Sequence, residues 1–263
     1  MPEGDTVYRA AQLLDRALSG RTLTLGDLRV PQHATADLAR SQVLETRSRG
    51  KHLMTRMTDP TGAALTLHTH LKMEGAWRVY RDGQRWKRPA HQARAVLGVP
   101  GTTAVGFSLG VVDLLPTSEE HTVVGHLGPD LLGPDWDADT AVARLRREPE
   151  RPVAHALLDQ RNLAGVGNMY AAELCFVTGT HPLTPVGLVR DLPRMVAVAH
   201  RMLDVNKGRA TQATTGDLRE PRWVYGRERS PCRRCGTRIE VAMTGEVGRE
   251  RATYWCPRCQ PTP

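Results

Sequence analysis

From Cys232 to Cys259 the chain reads CRRCGTRIEVAMTGEVGRERATYWCPRC. Two Cys-x-x-Cys pairs, Cys232/Cys235 and Cys256/Cys259, stand twenty residues apart. Two such knuckles set four thiolates at the corners of a tetrahedron, the pattern of a structural zinc ion. Four protein ligands leave no open coordination position, so one structural Zn2+ is expected there. Strand-like runs at 238–242 and 252–255 flank a turn at Gly245 and Gly248, which predicts a hairpin between the knuckles. This module, 219–263, does not by itself specify catalysis.

The same tail holds ten arginines against five glutamates, and the whole 263-residue chain carries +8 with a pI near 9.6. A basic balance points to a polyanionic partner. No apolar run approaches the roughly 18 residues of a membrane span, and no membrane partner is expected. Residues 1–20 carry Glu3, Asp5 and Asp15 and lack the profile of a secretion signal, so a cytoplasmic protein is expected. In a reducing compartment the paired cysteines read as metal ligands rather than disulfides. The fifth, Cys175, lies in apolar sequence and reads as a buried thiol.

Upstream the organisation is α+β and multidomain. Val7, Ala11, Leu14 and Leu18 recur on one face of an N-terminal helix that Gly20 ends. Short strand-like runs follow at 23–25, 43–46, 52–57, 64–68, 76–80, 95–99 and 111–115, which predict a β-sandwich or barrel. A Gly/Pro/Asp-rich connection at 125–135 marks a boundary. Helices are predicted over 137–147, 152–160, 169–177 and 192–205. The expected domains are 1–124, helix plus sandwich; 125–218, helical; and 219–263, the zinc-finger hairpin.

Met1-Pro2-Glu3-Gly4-Asp5 has chemical potential of its own. A small second residue predicts removal of Met1 and a free Pro2 amine. An α-amine titrates near pH 8, so part of it is neutral and nucleophilic at pH 7. Glu3 is placed to move a proton. Read alone, the two residues would simply start a helix.

Six separated segments in order change that balance. Pro2-Glu3-Gly4, Ser48-Arg49-Gly50-Lys51-His52-Leu53, His70-Leu71-Lys72-Met73-Glu74-Gly75, His126-Leu127-Gly128-Pro129-Asp130, the run from Leu158 through Gly165-Val166-Gly167-Asn168, and Arg251 to Pro257 together resemble the formamidopyrimidine-DNA glycosylase / endonuclease VIII family. The resemblance implies a β-sandwich joined to a helix–two-turn–helix region and a zinc finger. It implies a bifunctional DNA glycosylase and abasic-site lyase, with double-stranded damaged DNA as partner, no organic cofactor, and a monomer associated with the nucleoid. Pro2 would be the nucleophile, Glu3 the proton donor and Lys51 a phosphate- or base-binding catalytic residue. Asn168 and Arg251 would hold phosphates. Met73 would fill the gap left by a flipped base, with Leu109 in Phe107-Ser108-Leu109-Gly110 as the second candidate wedge.

Some positions depart from the family pattern. Asp5 stands near where a second acid is often found, without an assigned role. Only about fifteen residues, 215–229, separate the helical region from the first knuckle, where the purine-specific branch carries a longer loop. The short link favours the endonuclease VIII side and oxidised pyrimidines as substrates. The alternatives are a preference for 8-oxoguanine and formamidopyrimidine, a catalytically silent damaged-DNA binder, and a zinc-ribbon RNA-binding or transcription factor.

Overall fold

The computed structural model describes residues 2–248 and 250–262, in two compact units that divide after His126. Unit one opens with α1, Gly4–Leu18. Its apolar stripe Val7, Ala11, Leu14 and Leu18 is buried, and Asp15 ties the helix to the sheet by accepting the Thr46 N–H at 2.8 Å. Gly20, at φ +76, turns the chain back as few other residues could.

Eight strands follow: β1 Leu25–Leu28, β2 Gln42–Arg49, β3 His52–Thr58, β4 Ala64–His70, β5 Ala76–Arg81, β6 Ala93–Val99, β7 Thr102–Phe107 and β8 Val111–Pro116. They form two four-stranded antiparallel sheets in the orders β1-β6-β7-β5 and β2-β3-β4-β8. Val43, Leu53, Met57 and Leu67 of one sheet pack with Leu28, Leu97 and Ala104 of the other, and α1 closes the core. Burying such side chains supplies most of the favourable free energy, about 1.5–3 kcal/mol each.

The outer faces differ. On β6 and β7, Val96, Val105 and Phe107 form a second small core with Tyr80 and Trp86. Strand β6 is therefore buried on both sides and loses the alternation a half-buried strand would show. On the opposite sheet the outer face is polar. Arg56 binds Glu120 through two hydrogen bonds of 2.8 and 2.7 Å, and Thr66 donates to the same carboxylate at 2.6 Å. This network fastens α2, Glu120–Val124.

Three expectations shift. Strand β7 lies between the expected runs at 95–99 and 111–115, where no strand is predicted, because Gly101 and Gly106 interrupt its apolar pattern. The run at 23–25 moves to β1, and α2 was not expected.

Unit two holds α3 Ala138–Leu145, α4 Val153–Leu158, α5 Asn168–Val177, α6 Leu192–Asn206, and a hairpin of β9 Glu240–Thr244 with β10 Arg251–Trp255. Asp137 and Asp191 cap α3 and α6 through their side chains. Helix α5 is buried along nearly its whole length, so it is apolar all round. One side joins the helical core with Met169, Tyr170 and Leu174. The other meets Val224, Ile239, Cys232 and Cys256 through Ala172 and Phe176.

The exception in α5 is Glu173, 0% exposed. Its carboxylate accepts the N–H groups of Trp223, Val224 and Tyr225 at 2.8, 2.9 and 2.9 Å, and the Thr214 hydroxyl donates to it as well. Asn206 closes the intervening loop with hydrogen bonds to both N–H and C=O of Ala213. Glu173→Ala would leave three backbone donors without their acceptor. It should cost roughly 3–5 kcal/mol, read by denaturant unfolding, whereas Glu173→Gln, which keeps one acceptor oxygen, should cost less.

Candidate functional site

The chain's two units carry the predicted site residues separately. In unit one, Pro2 is half-buried and Glu3 occupies the N-cap of α1 in extended conformation. The Glu3 carboxylate does not cap the helix, and it is 0% exposed. Asp5, in the first turn, is 2% exposed. Burying two carboxyl groups in one turn costs free energy that surface acids do not incur; the helix N-terminus offsets part of it. The predicted removal of Met1 falls on a residue outside those described.

Lys51 sits in the tight turn between β2 and β3, after Gly50 at φ +56. Beside it lies a group of histidines that sequence reading did not single out. His52 and His70 face each other across β3 and β4, and His68 lies two residues along the same face. The His52 and His68 rings stack at 5.0 Å, and Nδ1 of His52 meets Nε2 of His68 at 2.8 Å. Burial, followed by the charges of His70, His68, His126 and Lys72, pushes His52 down to about 3. Burial, then Lys72 and Lys51, pushes His70 down to about 4. The alternating His-Thr-His of β4 opposite His52 was the available sequence signal.

The loop 71–75 presents Met73 at 62% exposure. Lys72 adopts φ +53, and its stem crosses Gly110 so closely that a Cβ there would lie 2.1 Å from Lys72 Cγ. Gly75 N–H donates to Leu71 O at 2.9 Å, and Arg88 donates to Glu74 O at 2.9 Å. The loop is thus braced at both ends with its thioether outward. Leu109 is corrected: it is 7% exposed, packed in the sandwich core against Gly106, and cannot serve as a wedge from that position.

In unit two, Asn168 is the first residue of α5 and donates through Nδ2 to Ala252 O at 2.8 Å. It therefore fixes the strand that begins with Arg251. Arg251 is exposed and lines a groove of about 580 Å3 with Arg151, His155, Asp159, Arg161 and Thr253. Arg151 and Arg161 both bind Asp159, at 2.9 and 2.6 Å, and hold its carboxyl well below the usual range. With Glu246 also in the lining, three arginines face two acids, and among the described residues Arg251 is the arginine engaged in no ion pair. The four thiolates lie within 4.8 Å of one another, with Cys232–Cys259 and Cys235–Cys256 sulfur distances of 3.9 and 3.4 Å. Zinc bonds of 2.3 Å in a tetrahedron require about 3.8 Å, so the donor set fits that ion. Sequence reading also missed Glu173, a lone carboxylate in an apolar run.

The histidine group makes a pH prediction. His52 and His70 stay neutral in the fold well below pH 6.5, where the unfolded chain takes up protons. Stability of unit one should fall as pH drops from about 6.5 toward 4, by at most about 1.4 kcal/mol per histidine per pH unit. His52→Phe should flatten that slope in urea titrations at stepped pH.

The formamidopyrimidine-DNA glycosylase N-terminal domain model matches residues 1–108, and its H2TH domain model matches 127–207. A probable endonuclease 8 2 of Streptomyces coelicolor is 52% identical over 100% of this chain and 95% of its own. The DNA-(apurinic or apyrimidinic site) lyase Nei2 of Mycolicibacterium smegmatis is 50% identical over 99% of each. Lactococcus lactis Fpg, solved in complex with abasic-site DNA, has a TM-score of 0.80 at 20% identity, over 99% of this chain and 100% of that one; the folds are alike. No described helix is long and apolar enough to cross a membrane. With the same sandwich, the same helical region and relatives matched along the whole chain, this protein belongs to the formamidopyrimidine-DNA glycosylase / endonuclease VIII family, on its endonuclease 8 side.

Proposed function

We propose that the protein is a DNA glycosylase and abasic-site lyase of base excision repair that excises oxidised pyrimidines from double-stranded DNA. It would act as a monomer on the nucleoid, with the chemistry in residues 1–124, DNA contacts in 125–218 and the finger in 219–263. The observation that carries this reading is the N-terminal turn, where a wholly buried Glu3 directly follows Pro2. Whole-length relatives named as endonuclease 8 and abasic-site lyase support it.

In the proposed reaction the neutral Pro2 nitrogen attacks C1′ of the damaged nucleotide. Glu3 protonates the ring oxygen as the C1′–O4′ bond opens, the C1′–base bond breaks with the proline N–H proton passing to the departing base, and an iminium links protein to sugar. The iminium draws electrons from C2′, whose proton is removed as the 3′ phosphate leaves. A second elimination releases the 5′ side. Met73 would fill the vacated stack, while Lys51, Asn168 and Arg251 would hold phosphates.

One feature supports the pyrimidine preference. The family's purine-specific branch places a Phe in the vacated stack, whereas Phe107 here ends β7 fully buried against Tyr80 and Trp86.

Borohydride trapping on single-lesion duplexes tests the mechanism. Protein with a confirmed proline N-terminus should give a covalent adduct on thymine glycol and abasic duplexes. A tag ahead of Pro2 should abolish it with DNA affinity retained. Glu3→Gln should slow base excision about 10²–10⁴-fold and affect nicking of a preformed abasic site less. Cleavage without an adduct would refute the proline mechanism, and a clear preference for 8-oxoguanine opposite cytosine would refute the pyrimidine assignment.

We assign one structural Zn2+ to Cys232, Cys235, Cys256 and Cys259. It would clamp the finger and take no part in bond making, since four thiolates fill its coordination shell. Cys256→Ser should release the metal and unfold the hairpin, because binding energy is folding energy in such modules. Elemental analysis should give one zinc per chain in the native protein and a substoichiometric amount in the variant.

A further inference from the structure

We propose that the stacked His52–His68 pair is a positioning device, a neutral strut beneath the turn that carries Lys51. The proposal rests on the reading of Lys51 as a DNA-contacting residue. Four nitrogens decide the arrangement. Two neutral imidazoles carry two protons, and one lies in the 2.8 Å bridge between His52 Nδ1 and His68 Nε2. His68 is 4% exposed, and its Nδ1 is buried with no hydrogen-bond partner among the described residues. A proton there would have no acceptor, so the other proton belongs on His52 Nε2, and His68 Nε2–H donates to His52 Nδ1.

A third proton could only go to His68 Nδ1, the one place that cannot satisfy it. The pair is thereby held neutral with a fixed direction. Burial acts in the same sense, lowering both imidazoles. The groups facing the pair are His70 and His126, 5.1 and 6.4 Å from His52 between ring centres, together with Lys72 beside His52 and Asp113 beside His68, while Lys51 acts on His70. The Asp113 carboxylate is engaged by His33 at 2.8 Å. His70 has its own tautomer set, because its Nδ1 accepts the Lys72 N–H at 2.9 Å. Cationic charge at this end of the sheet is thus left to Lys51, Lys72 and Arg49, the residue paired with His52.

The pair reaches Lys51 through the backbone. Arg49 and His52 are the last paired residues of β2 and β3, and only Gly50 and Lys51 lie between them. Fixing the His52 ring fixes one foot of a two-residue turn and the root of the Lys51 stem. A mobile His52 would let the turn rock, and a protonated one would repel Lys51.

The test uses the full-length, zinc-loaded protein. Nitrogen-15 spectra of the histidines should show His52 and His68 as Nε2–H tautomers that do not titrate between about pH 5 and 8. Affinity for a duplex with a tetrahydrofuran abasic analogue is then measured across that range for wild type, Lys51→Ala, His68→Leu and His68→Gln. His68→Leu should bind about tenfold more weakly at pH 8 and weaken further toward pH 5.5, as the released His52 takes up protons and repels Lys51. His68→Gln, which can still donate to His52, should restore both affinity and the flat profile. If His68→Leu does not fold, His52→Phe replaces it and should lose affinity at pH 8 with no further loss in acid. Ordinary titration of both histidines in the wild type overturns the proposal. So does a His68→Leu variant that binds like wild type while Lys51→Ala is defective. A Lys51→Ala variant with intact affinity removes the Lys51 reading itself, and the strut with it.

Discussion

A single carboxylate organises unit two. Glu173 gathers three consecutive backbone N–H groups and a hydroxyl onto an otherwise apolar helix. That grip sets Trp223 on Phe176, with ring centres 5.2 Å apart, and Arg234 lies over Phe176 at 4.4 Å. Arg234 stands between the first two cysteines, so the first knuckle is seated by the same helix. From the second knuckle β10 runs back to Arg251, which Asn168 steadies through Ala252. The direction of one arginine thus depends on a buried acid some distance along the chain. A buried charge held by backbone donors is strong when complete and costly when any part is missing.

Much of this was legible in the sequence because it is periodic or punctuated. The α1 stripe, the two knuckles and the Asn168 turn each carry a local pattern that tertiary packing did not alter. The unread parts depend on covering surfaces. Strand β7 is buried on both sides by residues from elsewhere, so it shows neither alternation nor an unbroken apolar run. Leu109 looked available as a wedge because sequence does not tell inward from outward at a turn with Ser108 at φ +47. The histidines at 52, 68 and 70 become neighbours only through strand register, which local sequence does not specify.

The two units manage charge differently. Unit two leaves its arginines toward solvent and spends Asp159 on holding two of them in place. Unit one packs imidazoles beside lysines and keeps them neutral by burial. Both devices leave cations where a polyanion can reach them and limit the local repulsion of gathering them.

Met73 has a consequence of a different kind. Its thioether is the outward end of a loop braced at Gly75, Gly110 and Arg88, and its 62% exposure leaves the sulfur open to peroxide. Oxidation to the sulfoxide would turn a flexible apolar side chain into a polar, chiral one. On the proposed reading, the oxidants that create the lesions would also reach the side chain proposed to fill the gap, and a sulfoxide reductase would restore it.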